Sequence, residues 1–118
     1  ISTRLALFAC APLILTAVFS LTATRDFMEI RRTVQQANHF IVTDLKVKPC
    51  EFDGGFEFNG YHCYSASRPV REGYSWWWVH DEKYVVTLGD LAGYTTVKVF
   101  PFKRTLGPNG NVHVLKPL

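Results

Sequence analysis

The chain has 118 residues, a net charge of +3 at pH 7 and an apolar fraction of 47%. This length suits one ordinary domain, and the apolar fraction is too high for a disordered tail. The charge is small and its basic residues are interleaved with acids, so composition argues against a nucleic-acid-binding surface. The chain begins at Ile1 and not at Met, so we expect a segment upstream of it.

The N-terminal segment 1–24 is predicted to be a transmembrane anchor. Leu5–Thr24 is a run of twenty residues without a charge, and a helix of that length spans about 30 Å, the thickness of the hydrocarbon core of a bilayer. Its hydroxyl side chains can bond back to their own helix, and Pro12 is tolerated in lipid as a kink. A signal peptide or a buried core helix is the alternative reading.

Small residues near the start of this segment predict contact with neighbouring helices. Ala9 and Ala11 stand beside Pro12, and small residues allow two helices in a membrane to approach closely. Cys10 is interpreted as a packing residue in this context. The lipid bilayer and other membrane subunits are therefore the expected partners.

Residues 25–48 are predicted to continue as an amphipathic helix that stops before Pro49. Its apolar stripe comprises Phe27, Ile30, Val34, Ala37 and Ile41, whereas polar residues, including Asn38, lie mainly off the stripe. The stripe could pack on the chain's own β domain, or it could contact a neighbouring subunit through Phe27, Ile30, Val34 and Ile41.

Residues 49–118 are predicted to form a small, mainly antiparallel β domain, which makes the fold class α+β. Asp53-Gly54-Gly55 and Asn59-Gly60 indicate turns. Tyr74–His80 and Lys83–Leu88 are read as a hairpin. Tyr94–Phe100 is the clearest strand, with Pro101 ending it or placing it at a sheet edge, and Val112–Leu115 is a short final strand.

Cys50 and Cys63 flank a turn-rich loop and predict a disulfide, with free buried thiols as the alternative. A disulfide requires an oxidising compartment, such as the periplasm, the intermembrane space or the cell exterior. The positive charges near the apolar segment favour a different compartment for the β domain. Arg25, Arg31 and Arg32 weakly favour the cytoplasmic or matrix side of the membrane.

The run Trp76-Trp77-Trp78 is unusual in so small a domain. On a strand, Trp76 and Trp78 share one face and Trp77 takes the other. We expect at least one of the first two rings to contact a partner or the membrane interface. A strand buried on both faces is the alternative.

The sequence contains no motif typical of catalysis, cofactor binding or metal binding. His62 and His80 lack the spacing of a metal site with the cysteines, and the acid pair Asp81-Glu82 reads as a solvated connection. We therefore expect no enzyme activity, no cofactor, no metal and no small-molecule substrate.

A hydrophobic helix that runs into an amphipathic one, followed by an antiparallel sheet with a disulfide, resembles a type IV pilin or pseudopilin. The N-terminus departs from that pattern, since Arg4 and Leu5 stand where pilins have apolar residues and a glutamate. The outline is also similar to small accessory subunits of respiratory or photosynthetic membrane complexes. The expected function is a non-catalytic accessory subunit of a membrane complex; the alternative is a subunit of a surface filament or virion.

Overall fold

A computed structural model describes residues 3–67, 69, 72 and 82–118, with backbone alone for residues 3–7 and 9. The elements are α1 (Thr3–Thr43), a 3-10 turn (Pro49–Glu51), α2 (Phe56–Cys63), β1 (Val85–Thr87), β2 (Tyr94–Phe102) and β3 (Gly110–Pro117). The fold is α+β, as predicted, with one antiparallel sheet of three strands among the described residues.

The apolar segment and the amphipathic segment form one uninterrupted helix, α1, which includes Pro12. The predicted membrane span at Leu5–Thr24 is not confirmed: among the residues that the structure describes, no helix meets the length and apolarity needed to cross a membrane. The helix stops well before Pro49, as expected. Its end is a turn in which Lys46 takes a left-handed φ of 57° and the Val47 N–H donates to the Ile41 carbonyl at 3.2 Å.

The sheet has the order β1-β3-β2, so β3 lies at the centre and pairs antiparallel with both neighbours. Tyr94–Phe100 is a strand as predicted, and β2 extends it to Phe102. Pro101 lies inside β2, which a sheet edge allows because the missing N–H needs no partner there. The final strand is longer than expected, since β3 covers Gly110–Pro117.

The core lies between the C-terminal half of α1 and one face of the sheet. Ala37 and Ile41 of α1 are fully buried against Phe52 and the inward side chains of the sheet. Those inward side chains are Phe102, Val112 and Val114. The aromatic rings of Phe40 and Phe100 meet edge-on with centroids 5.9 Å apart.

The segment after the 3-10 turn is helical, which corrects the prediction of a turn at Asn59-Gly60. Both residues lie inside α2, and Asn59 is buried. The turn at Asp53-Gly54-Gly55 is present and leads into α2, with Gly55 at a φ of 93°. Of the predicted hairpin, only β1 falls among the described residues; Tyr74–His80 lies outside them.

Candidate interaction surfaces

The N-terminal half of α1 exposes large apolar side chains over most of its circumference between Phe8 and Leu21. Phe8 and Leu15 are 81% and 71% exposed. Others that share this exposure are Leu13, Ile14, Val18, Phe19 and Leu21. Successive helix residues are rotated by about 100°, so these positions cover about two thirds of the circumference. The remaining third carries Pro12, Thr16, Ser20 and Ala23. So broad an apolar surface is typical of a helix that an apolar environment covers.

Hydroxyl groups within this half of α1 bond back to the helix, as predicted. The Thr16 hydroxyl donates to the Pro12 carbonyl at 2.8 Å, and the Thr22 hydroxyl donates to the Val18 carbonyl at 2.7 Å. Neither hydroxyl therefore needs water, which makes both compatible with an apolar surrounding.

The small residues proposed for helix contact lie on this same half. Ala11 and Pro12 are exposed, and Ala9 is described by its backbone alone. Cys10 is an exposed free cysteine. Nothing in the chain's own described fold covers Cys10, Ala11 or Pro12.

The amphipathic stripe divides between the chain's own core and the surface. Ile41 is fully buried, so its expected contact with a partner is wrong, and Ile30 and Val34 pack at the edge of the core. Phe27 is 57% exposed and remains open to a partner. Burial of the stripe increases toward its C-terminal end, because the sheet covers the helix there and leaves Phe27 exposed.

Phe27 lies at one end of an open groove between α1 and α2 with a volume of about 600 Å³. The apolar lining includes Phe27, Met28, Val34, Phe58 and Tyr61. Charged groups on the two helices are already paired, since Arg31 forms an ion pair with Glu57 and Arg32 with Glu29. The groove therefore offers aromatic and aliphatic contacts beside charged groups that are already paired.

A buried polar network holds α2 in position beside this groove. The Asn38 side-chain amide donates to the Gly54 carbonyl at 3.1 Å, and the Gly54 N–H donates to Asn59 Oδ1 at 3.1 Å. Asn59 in turn donates to Asp53 Oδ1 at 2.7 Å. Asn38 is buried, which corrects its expected place off the apolar stripe. A side chain at Gly54 would collide with the Phe58 ring 2.5 Å away, so only glycine allows this close approach.

A disulfide joins Cys50 to Cys63, as predicted, with Cα atoms 5.5 Å apart. It fixes the C-terminal end of α2 to the 3-10 turn. His62 is exposed beside it. Among the described residues, no three His, Cys, Asp or Glu side chains could hold a metal ion together.

Asp26 fastens the loop between β2 and β3 to α1. Its carboxylate accepts N–H bonds from Thr105 at 2.8 and 2.9 Å and from Leu106 at 2.7 Å. Those bonds, first from Leu106 and then from Thr105, lower the pKa of Asp26, and the nearby Arg104 adds to the effect. Asp26 stands two positions beyond Thr24, so this loop lies at the level where the uncharged segment ends.

Sequence reasoning missed Asp26 and Asn38 because their contacts join residues 16 to 80 positions apart. It missed Asn59 because Asn59-Gly60 was interpreted as a turn, whereas its partners Gly54 and Asp53 lie five and six positions before it. Asn38 gave one signal, since it lies four residues after Val34 and three before Ile41, which places it on the same helix face as these stripe residues. The predicted contact residues Trp76 and Trp78, together with His80, lie outside the described residues.

Comparisons with known proteins identify no relative of this chain. No protein family, curated protein or solved structure matches this chain.

Proposed function

We propose that the chain is a non-catalytic structural subunit of a larger membrane complex. The Leu5–Thr24 half of α1 would lie in the bilayer, and the α2 and sheet domain would cap a partner outside it. One observation carries the proposal: between Phe8 and Leu21, large apolar side chains are exposed over about two thirds of the circumference of α1. In water, that surface would be costly to leave uncovered.

Lipid fits this surface better than a groove on a soluble partner. A groove on a soluble partner would cover one stripe of the helix, whereas the exposed large apolar side chains are spread over about two thirds of its circumference. The segment has no charge, and its hydroxyls at Thr16 and Thr22 are bonded within the helix. The first arginine after it, Arg25, lies where the domain begins.

The partner would contact the domain close to the membrane, at the groove between α1 and α2. Phe27 and Tyr61 are 57% and 85% exposed there. Exposed aromatic rings are frequent anchors of protein interfaces. Because the groove's arginines are already paired, a partner with aliphatic or aromatic side chains suits it better than an acidic one.

The domain would face an oxidising compartment, such as the periplasm, the intermembrane space or the cell exterior. The disulfide between Cys50 and Cys63 supports this side of the membrane.

A filament subunit is the second candidate. The observation that favours it is the continuity of α1, whose C-terminal half packs on the sheet while its N-terminal half is bare. Identical copies could bury their bare halves against one another, as the resemblance to pilins implies.

A photo-crosslinking residue at position 27, with position 118 as the control, distinguishes the two candidates. Leu118 is 90% exposed and lies at the opposite end of the domain. For an accessory subunit, we expect the full chain in native membranes to form one discrete crosslink to a different protein from position 27 and none from 118. It should also migrate within a larger assembly in mild detergent.

A crosslinked product of twice the chain's 13.4 kDa mass would favour the filament. A monomer in detergent with no crosslink from position 27 would contradict both candidates.

A further inference from the structure

A second surface of the domain lies beside the end of the uncharged segment, on the loop between β2 and β3. The loop spans residues 103–109 and is fixed to α1 by the Asp26 carboxylate. β2 runs antiparallel to α1, since Phe100 meets Phe40 whereas Thr105 meets Asp26. The loop is therefore the part of the sheet nearest to Thr24.

The loop is braced into one conformation by its own side chains. The Arg104 N–H donates to Asn109 Oδ1 at 3.0 Å, and its Nε donates to the Pro108 carbonyl at 2.9 Å. A Cβ at Gly107 would lie 2.8 Å from the Arg104 guanidinium, which therefore rests directly against this glycine. Contacts made by the loop would need little ordering on binding.

Two cationic side chains that form no ion pair among the described residues lie where the loop meets α1. Arg25 and Lys103 line a cleft of about 520 Å³ between the helix and the loop. Both are exposed, and neither forms an ion pair within the part of the chain that the structure describes. The two acids of the cleft are engaged, Asp26 by backbone N–H groups and Glu29 by Arg32.

Leu106 adds an apolar contact at the same level, because it is 51% exposed although its N–H is held by Asp26. Two free cations beside one exposed leucine fit the boundary between phospholipid headgroups and acyl chains. The cations meet phosphate oxygens there, and the leucine meets the upper acyl chain.

We propose that Arg25, Lys103 and Leu106 form a contact site for anionic phospholipids at the membrane surface. The proposal rests on the proposed membrane location of Leu5–Thr24. The site would set how close the domain sits to the bilayer, and it would act through the rigid connection at Asp26.

The test is lipid-nitroxide quenching of a fluorophore on the full chain in nanodiscs. One sample carries the dye on the native Cys10 and is measured with acyl-chain nitroxides, as a reference for the membrane location. The others carry it on Leu106→Cys or Leu118→Cys in a Cys10→Ser background, so that the disulfide stays intact. Leu118 is bonded to Gly93 at the far end of the sheet and is the distal control.

We expect headgroup-level nitroxides to quench the dye at position 106, more strongly in nanodiscs with anionic lipid than in neutral ones, and to leave position 118 unquenched. Lys103→Glu and Arg25→Glu should each reduce the added quenching in anionic nanodiscs. Lys116→Glu, an exposed cation near the far end of β3, should leave it unchanged.

Each other result counts against the site. Quenching at position 106 that is equal in neutral and anionic nanodiscs would overturn the recognition of anionic lipid. Quenching at Cys10 with none at position 106 would overturn this inference and leave the proposed function standing. No quenching at either position would overturn both.

Discussion

At the scale of single residues, three side chains supply hydrogen-bond partners to backbone groups that have no backbone partner. Asp26 supplies acceptors for two N–H groups of the β2–β3 loop, and Asn38 and Asn59 satisfy both polar groups of Gly54. A buried N–H or carbonyl without a partner is costly, so each of these side chains stabilises a connection between two segments. Asp26 and Asn38 join α1 to later parts of the chain, whereas Asn59 holds α2 on the turn just before it.

The pH dependence of stability tests the role of Asp26. Its pKa is lowered in the fold below the unfolded value of about 3.9, so its stabilisation is present above that value. It is lost as the pH falls through the lower folded pKa. We expect Asp26→Asn to lower the melting temperature at pH 7 in detergent micelles and to match the unchanged chain more closely near pH 2. Asp44→Asn, at the end of α1, is the control; an equal loss from both variants would contradict this role.

At Lys46, in contrast to Asp26, a substitution is expected to raise stability. Its φ of 57° is left-handed, which costs a residue with a Cβ about 1 kcal/mol and glycine almost nothing. Lys46→Gly should therefore raise the free energy of unfolding by about 0.5–1 kcal/mol in a denaturant titration. The control Lys48→Gly should not raise it, because Lys48 has an ordinary extended backbone with a φ of −69°. A loss of stability from Lys46→Gly would contradict the assignment.

At the scale of elements, the features predicted correctly are those that residues close in the sequence determine. The spacing from Phe27 to Ile41 predicted the amphipathic helix, and alternation from Tyr94 to Phe100 predicted the central part of β2. The spacing of Cys50 and Cys63 predicted the disulfide. The helix and strand patterns depend on neighbouring residues, and the disulfide prediction depends on a single pair of cysteines.

Prediction from the sequence failed where tertiary contacts override local preference. Asn59-Gly60 is typical of a turn, but Asn59 is drawn into bonds with Asp53 and Gly54, and the disulfide closes the same segment. Those contacts stabilise α2 despite a glycine within it. The strand order was also out of reach, because β1 pairs with β3, and nothing in Val85–Thr87 specifies a partner so far along the chain.

The division of the stripe between core and surface is testable by a pair of truncations. Ile41→Ala should lower the free energy of unfolding by about 2–5 kcal/mol, because the side chain is fully buried. Phe27→Ala should change it by less than about 0.5 kcal/mol, because that ring is mostly exposed. Denaturant unfolding of both variants measures this, and equal losses would contradict the division.

The disulfide should contribute to holding α2 on the domain. In the chain-entropy account, closing a loop of this size adds roughly 3 kcal/mol. The paired variant Cys50→Ser/Cys63→Ser should lose about that much stability, and amide hydrogen exchange should speed up in α2 before the sheet. Cys10→Ser, the control at the free cysteine, should leave both unchanged. Uniformly faster exchange across the sheet would contradict a local role.

At the scale of the whole molecule, the elongated shape follows from one helix of which only the C-terminal half packs on the sheet. The chain extends over 66 × 33 × 26 Å with a radius of gyration of 20.0 Å. A compact domain of this length would have a radius of gyration of about 13–14 Å. The difference comes from the N-terminal half of α1, whose apolar surface the sheet does not cover.

The central claim is that lipid covers this half of the helix, and the reactivity of Cys10 tests it most directly. A charged, membrane-impermeant maleimide should not label Cys10 in intact native membranes or in membranes opened to expose both faces. It should label Leu118→Cys in a Cys10→Ser background, once the compartment of the domain is open to it. After denaturation in detergent, Cys10 should react fully. Rapid labelling of Cys10 in intact membranes, or recovery of the folded chain in detergent-free buffer with Cys10 protected, would contradict the account.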